Sequence, residues 1–216
     1  MSFAQTAGFK IGYGSYGMKD LKNIQSDVLR DVGIQSATIT ESFPMYFNYA
    51  LTIITKPQMN RSLKFEIGMS STGSRIAAAD YSGNFRFDQL ALQYYFQVGQ
   101  RYYIKRYQNN TQSFIEWNSG YSYSSVEFIT SLTLSDQNTK DNVDLVEHSA
   151  YVQPLFGISI PANQFILEPY IGFYYDIYFS GLALKENNDA KLNNGERDLH
   201  AYWRGFRFGF NVLLQL

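Results

Sequence analysis

The segment 206–216 alternates between apolar residues and residues that are polar or small. Every even position from Phe206 to Leu216 is apolar, whereas the odd positions are mostly glycine, arginine, asparagine and glutamine. Successive side chains of a β-strand point to opposite faces of a sheet, so a period of two predicts a strand with one apolar and one polar face. The segment 165–179 repeats the pattern. This feature constrains the fold most, because each apolar face must be buried or must contact a solvent other than water.

Eight segments of the chain carry this alternation, which predicts eight strands in one domain over residues 1–216. The predicted connections alternate in length. Short turns are expected at 56–60, 108–111 and 161–164, and long polar connections at 70–84, 135–142 and 185–198. The segment 18–29 has apolar residues at helical spacing and predicts a short amphipathic helix in the first long connection. This arrangement is typical of up-and-down antiparallel strands with one elaborated end.

The composition limits what the polar face can be. Charged residues make up 17% of the chain, against roughly 25% in ordinary soluble domains. A water-exposed polar face would need more of them. The net charge of -1 gives no electrostatic basis for binding nucleic acid. The absence of cysteine excludes disulfides, thiolate metal sites and cysteine catalysis.

Alternation by itself is compatible with two opposite arrangements, a soluble barrel with an apolar interior and a membrane barrel with an apolar exterior. Three features favour the membrane arrangement: the polar face has few charges, these are of both signs, and aromatic residues lie toward strand ends as in an interfacial girdle. The girdle residues are Tyr13, Tyr49, Tyr102, Trp117 and Tyr202. We therefore expect an all-β fold, an eight-stranded antiparallel up-and-down transmembrane β-barrel, whose closed sheet satisfies the backbone hydrogen bonds. The predicted lipid-facing residues are Phe9, Ile11, Phe65, Ile67, Leu92, Phe96, Phe156, Ile171, Phe173, Phe206, Phe208 and Phe210.

Two stretches of the chain carry a family resemblance. They are the final strand, residues 203–216, and the segment 13–21 followed by 43–49. In these stretches the chain resembles the small eight-stranded outer-membrane β-barrel proteins of Gram-negative bacteria, a porin-like architecture. The resemblance implies short periplasmic turns, long extracellular loops and residence in the bacterial outer membrane after removal of a signal peptide. It also implies outer-membrane lipid and other envelope proteins as partners.

Candidate catalytic and metal-binding residues are few. His148 and Ser149 are adjacent, so a strand would place them on opposite faces and separate a base from a nucleophile. His200 has Asp198 two residues away on the same face, but no serine accompanies this pair. The oxygen-rich segments 187–189 and 193–196 lack the spaced acidic pattern of a calcium loop. We therefore predict no catalytic site, no metal site and no cofactor.

Charged residues on the predicted interior face form the most informative group. They are Lys10, Lys64, Glu66, Glu168, Asp176 and Arg207. Closure of the barrel would make the strands of Lys10 and Arg207 neighbours, and it would place Glu168 and Asp176 on the strand beside Arg207. Buried charges must be paired, because an isolated one is costly, and an eight-stranded barrel has an interior just wide enough for side chains to fill it. The favoured interpretation is a structural plug, and the alternative is a selectivity or gating network.

The expected function is that of a non-enzymatic integral membrane protein. It would be structural or adhesive, or an accessory subunit of an envelope complex, and it would act through its extracellular loops. Two other functions remain open at this point. One is a narrow pore for ions or small solutes, which conductance would reveal. The other is a lipid-modifying outer-membrane enzyme, which lipid turnover would reveal.

Overall fold

Strands dominate the structure, a computed structural model that describes residues 4–32, 36–81, 83–107, 109–134 and 137–216. These residues contain eleven strands and one helix, so the predicted all-β class is confirmed. In chain order the elements are β1 (Ala4–Gly14), α1 (Lys19–Val32), β2 (Thr38–Ser42), β3 (Tyr46–Thr55), β4 (Arg61–Asp80), β5 (Gly83–Arg106), β6 (Gln112–Leu134), β7 (Gln137–Ala162), β8 (Phe165–Tyr178), β9 (Ala183–Leu184), β10 (Asn187–Lys191) and β11 (Gly205–Gln215).

Eight of the strands pair into a closed antiparallel ring. The order around the ring is β1, β3, β4, β5, β6, β7, β8 and β11, which follows the order of these strands along the chain. β11 closes the ring by pairing with β1, from Gln215 opposite Thr6 to Arg207 opposite Gly14. The predicted eight antiparallel strands in sequential order are therefore confirmed. The short strands lie outside the ring path: β2 pairs with β4, and β9 pairs with both β7 and β10.

The three predicted short turns connect ring strands at one end, which we call the turn end. β7 passes to β8 through a two-residue connection, since Ala162 pairs with Phe165. Asn163 in this connection has a φ of 57°, and Asn60 between β3 and β4 has a φ of 63°. Asparagine tolerates this left-handed conformation better than most residues do. Gln108, in the predicted turn between β5 and β6, lies outside the described residues.

Two predicted long connections, 70–84 and 135–142, are wrong. β4 continues to Asp80 and β5 begins at Gly83, so most of the first segment is strand. β7 begins at Gln137, so residues 137–142 are strand as well. Ser82, Ser135 and Asp136, which belong to these predicted connections, lie outside the described residues.

These polar segments form strands because their side chains find partners across the sheet. Ser74 on β4 donates a hydrogen bond of 2.6 Å to the Oε1 atom of Gln89 on β5. Asn142 on β7 donates one of 2.8 Å to the Oε1 atom of Glu127 on β6. Cross-strand pairs of this kind stabilise sheets whatever the polarity of the segment, whereas the link between polar composition and loops is only a correlation.

The four central strands extend beyond the rest of the ring at the end opposite to the short turns. β4 pairs with β3 only as far as Ser70, and β7 pairs with β8 only from Ser149 onward. The remaining parts of β4, β5, β6 and β7 pair with one another as a four-stranded sheet. This extension is about ten residues long, or roughly 33 Å of strand. The wall formed by β4 to β7 therefore projects beyond the ring at the end opposite to the turn end.

The helix α1 packs against this extension. It begins after Met18, whose φ of 47° ends the preceding extended chain, and it runs from Lys19 to Val32 rather than over the predicted 18–29. Leu21 is fully buried, and Gln25 donates a hydrogen bond of 2.7 Å from Nε2 to the backbone carbonyl of Glu41 on the edge of β2. Within the described residues, no helix has the length and apolarity needed to cross a membrane.

A small apolar core lies where the helix, the extension and the segment 179–204 meet. We call these three parts together the loop-end cap. Trp203 is fully buried in this core, packs edge-on against Tyr16 with ring centroids 5.3 Å apart, and donates from Nε1 to Ser124 Oγ at 2.9 Å. Other buried members of the core are Met18, Leu21, Phe43, Val126, Leu145, Leu182 and Ala201. The same core continues into the ring through Tyr95, Tyr151 and Tyr174, so the cap is packed onto one end of the ring.

Candidate functional site

The polar face of the ring strands is buried, and the apolar face is exposed. All six predicted interior charges have exposures of 3% or less. Of the twelve predicted outward residues, ten are exposed, with Ile67 at 61% and Phe206 at 60%. Leu92 and Phe173 are half-buried, and the Phe173 ring packs edge-on against Phe206 at 5.2 Å. Burial is thus opposite to that of a soluble domain.

Three basic and three acidic side chains form one continuous chain of ion pairs through the interior. Lys10 lies 2.8 Å from Glu66, and Lys64 also lies 2.8 Å from Glu66. Lys64 reaches Glu116 at 2.5 Å. We call the whole series the ion-pair chain: its members are Lys10, Glu66, Lys64, Glu116, Arg101 and Glu168. Each charge has at least one opposite charge, so the series is neutral.

Arg101 joins the last two carboxylates of the ion-pair chain, Glu116 and Glu168. Its guanidinium donates from Nε to Glu116 at 3.0 Å and from both terminal nitrogens to Glu168 at 2.6 and 3.0 Å. The same group lies 3.8 Å above the ring centroid of Phe114. Asn211 on β11 donates a further bond of 3.0 Å to Glu168. These contacts join β5, β6, β8 and β11, so the ion-pair chain ties non-neighbouring strands together.

Arg101 and Glu116 are absent from the residues predicted for the interior. The signal was present in the alternation, because their neighbours Tyr102, Ile115 and Trp117 have the parity of the apolar face. A strand that puts those residues outward must put Arg101 and Glu116 inward.

The structure separates Arg207 and Asp176 from the ion-pair chain. Arg207 donates to the backbone carbonyls of Ser15 at 2.5 Å and Trp203 at 2.9 Å, and it lies over the rings of Tyr16 and Tyr174. In the described part of the chain, Arg207 forms no ion pair. Its role is to hold the chain segments that enter the cap.

Asp176 is also without a basic partner among the described residues. Its Oδ2 accepts a hydrogen bond of 2.8 Å from the Tyr178 hydroxyl. Its Oδ1 is buried and has no hydrogen-bond partner in the described structure. Asp176 lies at the cap end of β8 and lines a cleft rather than the middle of the ring.

A small cavity lies inside the ring beside the ion-pair chain. It is bounded by Lys10, Tyr95, Tyr174 and Arg207, among others, and has a volume of about 10 Å³. That is close to the space needed for one water molecule.

Charged contacts also hold the loop-end cap together. Arg197 donates two hydrogen bonds, of 2.8 and 2.6 Å, to the buried Asp20 of α1, and the His200 N–H donates a third of 2.9 Å. Burial alone would raise the pKa of Asp20, but these hydrogen bonds outweigh it and hold the pKa below its usual range. The helix is therefore anchored to the segment before β11 by an ionised carboxylate.

The two histidines contact residues other than those considered in the sequence. His200 Nδ1 lies 2.6 Å from Glu147 Oε1, whereas Asp198 pairs with Lys191 at 3.2 Å. Burial raises the pKa of Glu147, which also accepts from the Ala201 N–H at 3.0 Å. His148 hydrogen-bonds the exposed Tyr121 through Nδ1 and stacks on its ring.

No group of three or more histidine, aspartate and glutamate side chains among the described residues could hold a metal ion. The oxygen-rich loops instead form local turns, such as the bond of 3.1 Å from the Asp189 N–H to Asn187 Oδ1. Ser149 is buried and bonds Ser122 at 2.8 Å, on the face opposite to His148.

Comparison with protein-family models, with curated proteins and with solved structures gave no match.

Proposed function

We propose that this chain is an integral protein of the bacterial outer membrane, an eight-stranded transmembrane β-barrel with an interior filled by side chains. It is non-enzymatic and serves a structural or adhesive role, or acts as an accessory subunit of an envelope complex. Its functional surface is the loop-end cap, and its other partners are outer-membrane lipid and envelope proteins.

The observation that carries this proposal is the reversed burial of the ring. Its interior holds the ion-pair chain, while phenylalanine, isoleucine and leucine side chains stand exposed on every ring strand. Exposed apolar patches of a soluble monomer rarely exceed a few hundred Å², so a continuous apolar belt is compatible with hydrocarbon and not with water. Closure of the sheet meets the requirement that no backbone group is left unpaired in lipid.

The filled interior supports a plug rather than a pore. Fully buried ion pairs with good geometry hold strands in place, and breaking one leaves an uncompensated charge. A narrow pore is the alternative that conductance tests: the purified protein in planar bilayers is expected to give no stable single-channel currents. Stable currents would contradict the plugged interior and favour the narrow pore.

The lipid-modifying enzyme is the less favoured alternative. Glu147 and His200 form an acid–base pair at the cap, but no serine or threonine hydroxyl of the described residues hydrogen-bonds His200. A His–carboxylate pair without a nucleophile or a positioned water is insufficient for acyl transfer. Incubation of the protein with radiolabelled phospholipid should therefore release no labelled fatty acid.

The two tryptophans allow a direct test of membrane residence. Trp117 is 54% exposed on the apolar face, whereas Trp203 is fully buried in the cap. In vesicles that contain phospholipid brominated on its acyl chains, the parent fluorescence should be quenched through Trp117. The Trp117→Phe variant, which keeps only Trp203, should lose most of that quenching. Equal quenching of the two proteins, or none in the parent, would contradict membrane residence.

A further inference from the structure

Exposed cations gather at the turn end of the ring, in the β3–β4 turn and at the end of β5. These two places are adjacent. Arg61 lies directly opposite Tyr102 in the sheet, and the Tyr103 N–H donates a hydrogen bond of 2.9 Å to the Asn60 carbonyl. The cations therefore form one patch, which we call the basic rim. Its members are Lys56, Arg61, Lys105 and Arg106.

No carboxylate side chain accompanies the basic rim. The three turns and the strand ends beside them, residues 54–63, 102–113 and 158–167, contain no aspartate or glutamate. None of the four cations forms an ion pair with a described residue. The Arg106 side chain donates to Asn110 at 2.8 Å, whereas the other three side chains make no hydrogen bond with a described residue. The positive charge of the rim is therefore uncompensated within the described structure.

The loop end differs, because its exposed charges are of both signs. Arg30 pairs with Asp27 at 3.1 Å and with Asp31 at 3.2 Å. Lys185 and Lys191 pair with Asp144 and Asp198 at 3.7 and 3.2 Å. A positive potential without neighbouring carboxylates is therefore a property of the turn end, and it attracts anions there.

The basic rim borders the apolar belt of the ring. Arg61 has the same parity as Leu63 on β4, so both side chains start on the outer face, about 7 Å apart along the strand. The guanidinium of Arg61 lies 5.1 Å from the ring centroid of Tyr102, which is exposed on the same face. Trp117 is exposed one row further into the belt, opposite Gln100. Tyrosine and tryptophan are enriched at the level of lipid head groups, so this row of aromatic residues places Arg61 at the depth of the phosphates.

We propose that the basic rim binds the phosphate of an anionic phospholipid in the membrane leaflet at the turn end. The inference rests on the proposed membrane residence. The guanidinium of Arg61 donates to the phosphate oxygens, and the ammonium groups of Lys56 and Lys105 attract the net negative charge of the head group. The acyl chains then lie along the exposed Leu63 and Trp117.

The chemistry of the rim distinguishes this ligand from others. A zwitterionic phospholipid has the same phosphate oxygens, but its own cationic group opposes the attraction to a patch that is positive throughout. An acidic protein would supply carboxylates. Arg61, however, stands on the outer face beside side chains that the acyl chains cover, where a soluble partner has no access.

Quenching of Trp117 fluorescence tests the preference of the rim. The protein is reconstituted into two sets of vesicles that contain 10% phosphatidylglycerol in phosphatidylcholine and the same total amount of brominated acyl chains. Bromine is carried by the phosphatidylglycerol in the first set and by an equal amount of phosphatidylcholine in the second. The signal of Trp203 is subtracted with the Trp117→Phe variant. We expect the association constant of phosphatidylglycerol relative to phosphatidylcholine to be about five or more, the effect of one cation near an anionic lipid surface.

The rim variant replaces the three cations that make no hydrogen bond, as Lys56→Gln/Arg61→Gln/Lys105→Gln. Its relative association constant should fall to about one. The matched control is Lys140→Gln/Lys185→Gln/Lys191→Gln, which removes three exposed cations at the loop end and changes the net charge equally. The control should retain the value of the parent. High salt should lower the value of the parent, because mobile ions screen exposed charges.

Quenching by brominated phosphatidylcholine alone is measured first on every protein. Its absence in the parent would show that the membrane assignment itself is wrong, and its presence in a variant shows that the variant has folded into the bilayer. Normal quenching with a relative association constant near one in the parent would overturn the rim assignment alone. Equal values above one in the parent and the rim variant would also overturn it, because the preference would then arise elsewhere on the protein.

Discussion

Arg101 on β5 and Glu168 on β8 join across the interior of the ring through two hydrogen bonds of 2.6 and 3.0 Å. Three strand-to-strand steps separate β5 from β8 around the wall. The pair is therefore a strut between distant parts of the sheet rather than a contact between neighbouring strands. Because both groups are buried, each depends on the other for compensation of its charge.

Replacement of Arg101 with methionine should destabilise the fold strongly. It leaves Glu168 and Glu116 each short of a buried cation, and we expect a loss of about 3–5 kcal/mol in the free energy of unfolding. Urea titration in lipid vesicles measures this. The control is Arg106→Met on the same strand, where the side chain is exposed and bonds the exposed Asn110. An Arg101→Met protein as stable as the Arg106→Met protein would contradict the role of the strut.

Removing the charges of both Arg101 and Glu168 should destabilise the fold less than removing that of Arg101 alone. The double variant Arg101→Met/Glu168→Gln no longer contains an unpaired Glu168. It should therefore recover part of the stability lost in Arg101→Met. A double variant less stable than the single variant would show that packing, not charge, dominates at this position.

A charge placed on the apolar outer face should destabilise the fold more at the middle of a strand than near its end. Phe210 is 59% exposed at the middle of β11, and Phe165 is 49% exposed at the turn end of β8. In lipid, Phe210→Arg should cost about 2–4 kcal/mol in unfolding free energy and Phe165→Arg about 0–1. Titration of both variants in the same vesicles measures the difference. Similar small losses would indicate that the apolar face contacts water or another protein.

Acid should weaken the contacts that hold α1 in the loop-end cap. Asp20 has a lowered pKa in the folded protein, so its contribution to stability is present above its ordinary value of 3.8 and is lost as the pH falls below it. Asp20→Asn should therefore speed hydrogen exchange of the α1 amides near pH 7, after correction for intrinsic exchange rates. Parent and variant should converge in strong acid. Asp27→Asn, at an exposed position on α1 where the carboxylate pairs with the equally exposed Arg30, is the control and should match the parent at both pH values.

Accessibility from outside the cell tests which end faces the medium. The chain has no cysteine, so single cysteines can be introduced without background. Asn193→Cys in the cap should react with a membrane-impermeant thiol reagent on intact cells. Gln164→Cys in the β7–β8 turn should not, and it is preferred to Asn163→Cys because Asn163 has a φ of 57°. The reverse pattern would place the cap in the periplasm.

The number of ring strands, their order and their two faces could be predicted from the sequence. Alternation is a local property, because the direction of each side chain follows from its position in its own strand. Phe206, Phe208 and Phe210 are exposed while Arg207 and Asn211 are buried, as parity requires. The same rule would have included Arg101 and Glu116 in the interior. The ends of β4 to β7 could not be predicted, because polar segments such as 137–142 are extended only through pairing with a neighbouring strand.

Which interior charges meet was decided by the tertiary structure alone. Arg101 reaches Glu168, three strands away, as well as Glu116 on the adjacent strand β6. Arg207 reaches backbone carbonyls and aromatic rings instead of a carboxylate. These partners depend on the tilt and stagger of strands around the closed ring and on how the chain enters the cap. The joining of Asp20 to Arg197 across 177 residues has the same origin. Parity along the chain gives the face of a residue, but only closure of the sheet brings residues from distant strands within hydrogen-bonding distance.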